Sequence, residues 1–180
     1  MARKQRTIKK ATEFEGVALH SGEKIKVRIE PALPGTGVIF LRSDLEDPAE
    51  IPALAGNLSV SNRRTVLRAG NQMIGMVEHL LSACVGLRVD NLRVLVSGDE
   101  LPGMDGSTLP YCELLKDAVI VEQKEVRKSF RASLPNVFRD DHNAEIILLP
   151  PTGDGLTIRF FPQYPDGVDD TPVIFKLLED

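Results

Sequence analysis

Glu78 and His79 stand side by side in the stretch MVEHLLSACVG, residues 76–86. A carboxylate can take up a proton, and an imidazole can carry one or bind a metal through a ring nitrogen. A single histidine cannot hold a metal ion alone. Ala83, not a second histidine, occupies the i+4 position, so this is not the HExxH zinc arrangement, although it too sets a glutamate beside a potential ligand. On spacing alone two readings stay open: a pair that does chemistry, or an amphipathic helix whose solvated face carries Glu and His.

The apolar spacing predicts a helix running from about Met73, capped by Asn71 and closed by Gly86 at the C′ position. At roughly 100° per residue, Met73, Met76, Val77, Leu80 and Cys84 share the core face, and Glu78 and His79 lie opposite. Between the pair fall Gly75 and Ser82, a floor of small side chains that would let a ligand approach the backbone. Asp105, within GMDGS, is expected to organise its own turn. His142, in RDDHNAE, reads as an exposed hairpin residue.

The remaining elements must position that pair. KIKVRIE (24–30) alternates charged and apolar residues as a half-buried antiparallel strand does. VIFLR (38–42) reads as the next strand, residues 43–55 as a loop or irregular edge, and RRTVLRAG (63–70) as a short strand ending in a turn. DNLRVLVSG (90–98) follows as a strand, and YCELLKDAVI (111–120) as a second helix capped by Ser107 or Thr108, with Pro110 in its first turn. The charged stretch EQKEVRKS (122–129) reads as a linker. Beyond it AEIILLP (144–150) and LTIRFF (156–161) read as strands joined by PTGDG, with a further strand in VIFKLLED. The fold class is therefore α/β of the α+β kind: a two-layer unit of mainly antiparallel sheet packed against two helices over residues 4–123. Residues 127–180 follow as an incomplete second unit with no helix to cover its strands.

A chain of 180 residues, 42% hydrophobic, can bury a proper core. The formal charge of −4 argues against nonspecific affinity for nucleic acid. No apolar run approaches the roughly 20 residues of a membrane-spanning helix. The basic start MARKQRTIKK lacks the apolar segment of a secretory signal, so a cytoplasmic location is expected. Cys84 and Cys112 read as free buried thiols.

MVEHLLSACVGLRVDN (76–91) resembles the helix-and-strand motif of the zinc-dependent UDP-3-O-acyl-N-acetylglucosamine deacetylases of lipid A biosynthesis. KQRTIKK (4–10) resembles that family's opening strand, GVALHSG (16–22) its first turn, and ELPGMDGSTLPY (100–111) its Glu-Pro, Met-Asp-Gly-Ser turn. The four motifs occur in the family's order, from about Lys4 to Glu122. The resemblance implies an amide hydrolase that uses Zn2+ and acts on a UDP-sugar acyl substrate. It implies that Glu78 is the general base and His79 one of three zinc ligands. It also implies that Thr65 and His20 line the substrate cleft, although a turn-capping role for His20 stays open. Met76 stands where the family often has a small hydroxyl residue, a difference that bears on packing more than chemistry.

The family also has a second domain, with a His-Lys-x-x-x-Asp segment that supplies two further zinc ligands and a downstream histidine that acts as general acid. No His-Lys pair follows Glu122 in this sequence. Residues 127–180 resemble only that domain's opening strands. One zinc ligand of three does not make a catalytic site. The expectation is a chain carrying the N-terminal share of the site, inactive alone, whose partner is the missing C-terminal half or a second copy. The alternative is a non-catalytic binding or assembly module on the same scaffold.

Overall fold

The computed structural model describes residues 3–61, 63–141, 144–153, 155–163 and 170–177. In chain order they form β1 (Lys4–Ile8), β2 (Thr12–Val17), β3 (Lys24–Pro31), β4 (Val38–Arg42), β5 (Ile51–Pro52), β6 (Leu58–Ser59), β7 (Val66–Ala69) and β8 (Gln72–Gly75). Then come α1 (Glu78–Leu87), β9 (Leu92–Val96), α2 (Leu109–Asp117) and β10 (Ile120–Val126). The last strands are β11 (Asn136–Arg139), β12 (Glu145–Leu148), β13 (Leu156–Phe160) and β14 (Val173–Leu177). By contacts the chain divides into Lys4–Val126 and a unit formed from Arg127 onward with Arg3. The architecture is α+β, with mainly antiparallel sheets, two α-helices and a short 3-10 turn at Ala55–Asn57 among the described residues.

In the first unit the alternation of β3 buries Ile25, Val27 and Ile29 while its charged residues face outward. These three residues join Phe40 of β4, Leu92, Val94 and Val96 of β9, Leu80 and Cys84 of α1, and Tyr111 and Leu115 of α2 in one core. VIFLR forms its strand at the expected residues, but not beside β3. The five-stranded order is β2-β3-β9-β4-β5, with β9 antiparallel to β3 and parallel to β4. Local sequence specifies strands; their neighbours are chosen by which inward faces complete the core.

The helix prediction is corrected at both ends. Gln72–Gly75 is a strand, paired antiparallel with β7 around a turn at Gly70 and Asn71, where Gly70 takes φ 57°. Asn71 is therefore a turn residue rather than a helix cap. Met73 and Gly75 are not helical, so the floor of small side chains does not form. A short apolar run has no periodicity that separates strand from helix, and cross-strand pairing decided it. Gly86 lies inside α1, which closes instead on Arg88 in the left-handed conformation, its N–H bonding the carbonyls of Cys84 and Val85.

The expected linker is also partly a strand. Glu122 to Val126 belong to β10, which pairs antiparallel with β1. The pair is largely polar, and its partner is more than a hundred residues away in sequence, so no local pattern announces it. α2 runs Leu109–Asp117, starting two residues before and ending three residues before the expected 111–120, with Ile120 already in β10. Thr108 stands at its N-cap without a side-chain cap bond, Pro110 lies in its first turn, and the Ser107 hydroxyl oxygen accepts the Leu109 amide at 3.1 Å.

In the second unit AEIILLP and LTIRFF do form strands, but not with each other. β12 pairs with β11, a strand the apolar pattern did not reveal, and β13 pairs with β14. Phe138, Ile146, Phe160 and Ile174 are exposed on these hairpins. His142 lies outside the described residues. No helix of the described residues is long and apolar enough to cross a membrane.

Two measurements follow from this packing. Val119, between α2 and β10, takes φ 63° although it is β-branched and 46% exposed. Left-handed backbone costs such a residue roughly 1–2 kcal/mol, and asparagine tolerates it. Val119→Asn should raise the unfolding free energy by about 1 kcal/mol in urea titration; an unchanged or lower midpoint contradicts the strain. Both cysteines are free; Cys84 is buried and Cys112 half-buried. Burial, with smaller contributions from Cys112 and Asp90, pushes the Cys84 thiol up to about 12. A raised thiol pKa means the protonated, unreactive form dominates below it. Iodoacetamide at pH 8 should label Cys112 well before Cys84, as read by peptide mass; equal rates would contradict the burial.

Candidate active site

α1 starts at Glu78 because the chain before it is committed to a strand. Gly75 closes β8 and is pinned on both sides: its N–H donates to the Asp99 carbonyl at 2.8 Å, and its carbonyl accepts the Leu101 amide at 3.0 Å. The chain then turns at Met76, which takes φ 57° with its side chain buried. Strained non-glycine conformations of this kind cost about 1–3 kcal/mol and cluster at functional sites. Val77, at the N-cap, offers no side-chain cap. The acid in the first turn is Glu78, where the partial positive charge of a helix N-terminus favours it.

Glu78 and His79 are both half-buried. Oε2 of Glu78 accepts the backbone N–H of Thr65 at 3.2 Å, which fixes the carboxylate against the segment leading into β7. Thr65 thus meets the pair through its main chain. Tyr111 is fully buried, and its hydroxyl donates to the Pro102 carbonyl at 2.6 Å. Its ring meets Phe14 edge to face at 5.7 Å. Burial first, and then the charge of Glu78, drive the phenol pKa upward.

The ELPGMDGS segment forms a tight turn of its own. Asp105 Oδ1 accepts the Ser107 amide at 2.8 Å, and the neighbouring Met104 and Gly106 take φ 52° and 82°. The Ser107 amide and hydroxyl hold the Asp105 carboxyl below its ordinary range, with the charge of His79 a smaller contribution. Asp105 therefore organises its own turn, within electrostatic reach of His79.

GVALHSG meets that segment backbone to backbone. Ala18 bridges Pro102, and a Cβ placed on Gly16 would lie 2.5 Å from Pro102 Cβ. His20 is exposed; its N–H donates to Oε1 of Glu100 at 3.1 Å. Glu100 is 2% exposed, and its Oε2 lies 3.6 Å from Nη1 of Arg64. The Thr65 main chain thus meets Glu78, and the His20 turn is tied to Glu100. Sequence reasoning passed over Glu100, Arg64, Tyr111 and Gly16, because each acts through a partner remote in the chain. The Gly16 contact alone left a signal, a glycine in an otherwise alternating strand.

Compared with known protein families, the chain matches the LpxC family, UDP-3-O-acyl N-acetylglycosamine deacetylase, over residues 5–174. It belongs to this deacetylase family. The match takes in the Glu78–His79 pair and strands of both units. Deacetylases of this family are zinc-dependent, and a catalytic zinc takes three protein ligands. Among the described residues no group of three His, Cys, Asp or Glu side chains could hold a metal ion. An imidazole such as that of His79 is chemically able to ligate zinc.

The contact between the two deacetylase motifs is testable. Gly16→Ala would force Pro102 away, because a proline ring cannot turn aside as a flexible side chain does. Overpacking of this kind costs about 1–3 kcal/mol. The midpoint of urea unfolding should fall accordingly, and a wild-type midpoint would contradict the close approach.

Proposed function

We propose that this chain takes part in hydrolysis of the N-acetyl group of UDP-3-O-acyl-N-acetylglucosamine, in the cytoplasm and in the service of lipid A biosynthesis. Glu78 is the general base and His79 one of the zinc ligands. The observation that carries this reading is the family match across a helix start where a half-buried glutamate, held by the Thr65 amide, stands beside a half-buried histidine. Glu78 takes the proton of the water that attacks the acetyl carbonyl, and acetate and a free sugar amine are the products. Zinc, when bound, supplies Lewis acidity. Thr65 and His20 border the cleft that receives the substrate.

The remaining zinc ligands come from outside the described residues. Residues 4–123 act as the first deacetylase domain, and residues 127–180 as the opening strands of a second. The exposed apolar hairpins take their cover from the family's C-terminal half. A non-catalytic binding or assembly role on the same scaffold is the competing reading.

The test uses the 180-residue chain alone and mixed with a separately expressed polypeptide carrying a His-Lys-x-x-x-Asp segment. Alone, the chain should hold substoichiometric zinc after dialysis and show no deacetylation. The mixture should gain both. In the mixture Glu78→Gln should lower turnover by roughly 10²–10⁴-fold with zinc retained, because only the base is lost. His79→Ala should lose zinc and activity together. Stoichiometric, tightly held zinc in the chain alone would overturn the ligand assignment. An inactive mixture would favour the non-catalytic role.

A further inference from the structure

Glu100 is a fully buried carboxylate to which the proposed chemistry gives no part. It is 2% exposed, and it faces two ways. Oε1 accepts the His20 N–H at 3.1 Å, and Oε2 lies 3.6 Å from the Arg64 guanidinium, which is itself only 25% exposed. Burying a charge is costly unless it is paired and hydrogen-bonded, so the fold retains Glu100 against a penalty that an apolar side chain would avoid.

The segments it joins include the one that holds Glu78. Arg64 directly precedes Thr65, whose N–H holds the Glu78 carboxylate at 3.2 Å. The Arg64 side chain also lies over Gly75, with Cδ and Nη1 each 3.6 Å from where a Cβ on that glycine would stand. Gly75 in turn bridges Glu100 in a parallel pairing, three residues before Glu78. Glu100 therefore touches the His20 turn, the strap before β7 and the end of the strand that delivers α1.

We propose that Glu100 is a positioning residue for the deacetylase site: its buried charge clamps the Arg64–Thr65 strap and the His20 turn, and so fixes the Glu78 carboxylate. The functional meaning rests on Glu78 being the acting base; the clamp itself is physical and can be measured apart from activity. Glu100→Gln keeps the shape and one acceptor for His20 but removes the charge that faces Arg64.

The decisive experiment is amide hydrogen exchange and 15N NMR on the full chain, without substrate or metal. In Glu100→Gln the Thr65 and His20 amides should exchange about tenfold faster, while Val94 and Leu95 in the central strand keep their wild-type rates. The Thr65 amide proton should also move upfield, in the same direction as in Glu78→Gln, since both changes weaken its bond to the carboxylate. Unchanged exchange at Thr65 and His20 would overturn the proposal. So would equal acceleration of every amide in the unit, which would make Glu100 a general stabiliser only. Should Glu100→Gln fail to fold, Arg64→Met decides: acceleration at Thr65 with a protected central strand supports the clamp, and a wild-type Thr65 rate refutes it. None of these readouts depends on deacetylation, so a failed Glu78→Gln activity test would remove the functional reading and leave the clamp standing.

Discussion

Asn91 is the buried amide on which the first unit's assembly depends. It is 1% exposed and uses both ends of its side chain. Oδ1 accepts the Gly37 amide at 2.8 Å, and Nδ2 donates to Gln5 Oε1 at 2.8 Å and Gln123 Oε1 at 2.7 Å. Its carbonyl accepts the Thr7 hydroxyl at 2.6 Å, and its amide donates to the Arg6 carbonyl at 3.1 Å. One residue thus ties β1, β10 and the turn before β4 to the start of β9. Each such bond contributes only about 1 kcal/mol net, but a buried partner left unpaired costs about 1–3 kcal/mol. Among the described residues no buried side-chain nitrogen or oxygen lacks a partner. The network is closed, and a closed polar network specifies one arrangement where an apolar contact would accept several.

That arrangement reaches the site through α1. The helix is capped at Arg88, the Val89 amide bonds back to the Cys84 carbonyl, and Asn91 stands two residues further on. With its C-terminal end fixed there and Gly75 fixed between Asp99 and Leu101, the helix has little freedom at its start. Glu78 and His79 therefore project from a rigid element held at both ends. Functional groups placed this way keep their geometry better than groups on loops, which suits the roles proposed for Glu78 and His79.

The second unit has a different character. Its two hairpins carry branched and aromatic side chains that stay exposed. Isolated two-stranded hairpins are marginal in water, and they gain stability when a third strand or a helix covers their apolar face. The deacetylase match runs through these strands to residue 174, so they share the family character of the first unit.

What the sequence determined alone was local. The alternation of β3 announced a half-buried strand, Pro110 and Ser107 announced the start of α2, and the short motifs announced the family. Glu78 and His79 stood out because an acid beside an imidazole needs no distant partner to be noticed. What tertiary structure decided was every choice between two locally acceptable states. Gln72–Gly75 became strand, not helix, because β7 offered a ladder. Glu122–Val126 became strand, not linker, because β1 lies alongside. β9 inserted between β3 and β4 because its two neighbours complete one apolar face. The supports of the site, Glu100 with Arg64 and His20, Tyr111 with Pro102, and Gly16 against Pro102, are pairs of residues separated by up to 86 positions. Their meaning lies in contact distance, and a linear pattern carries no information about contact until the chain has folded.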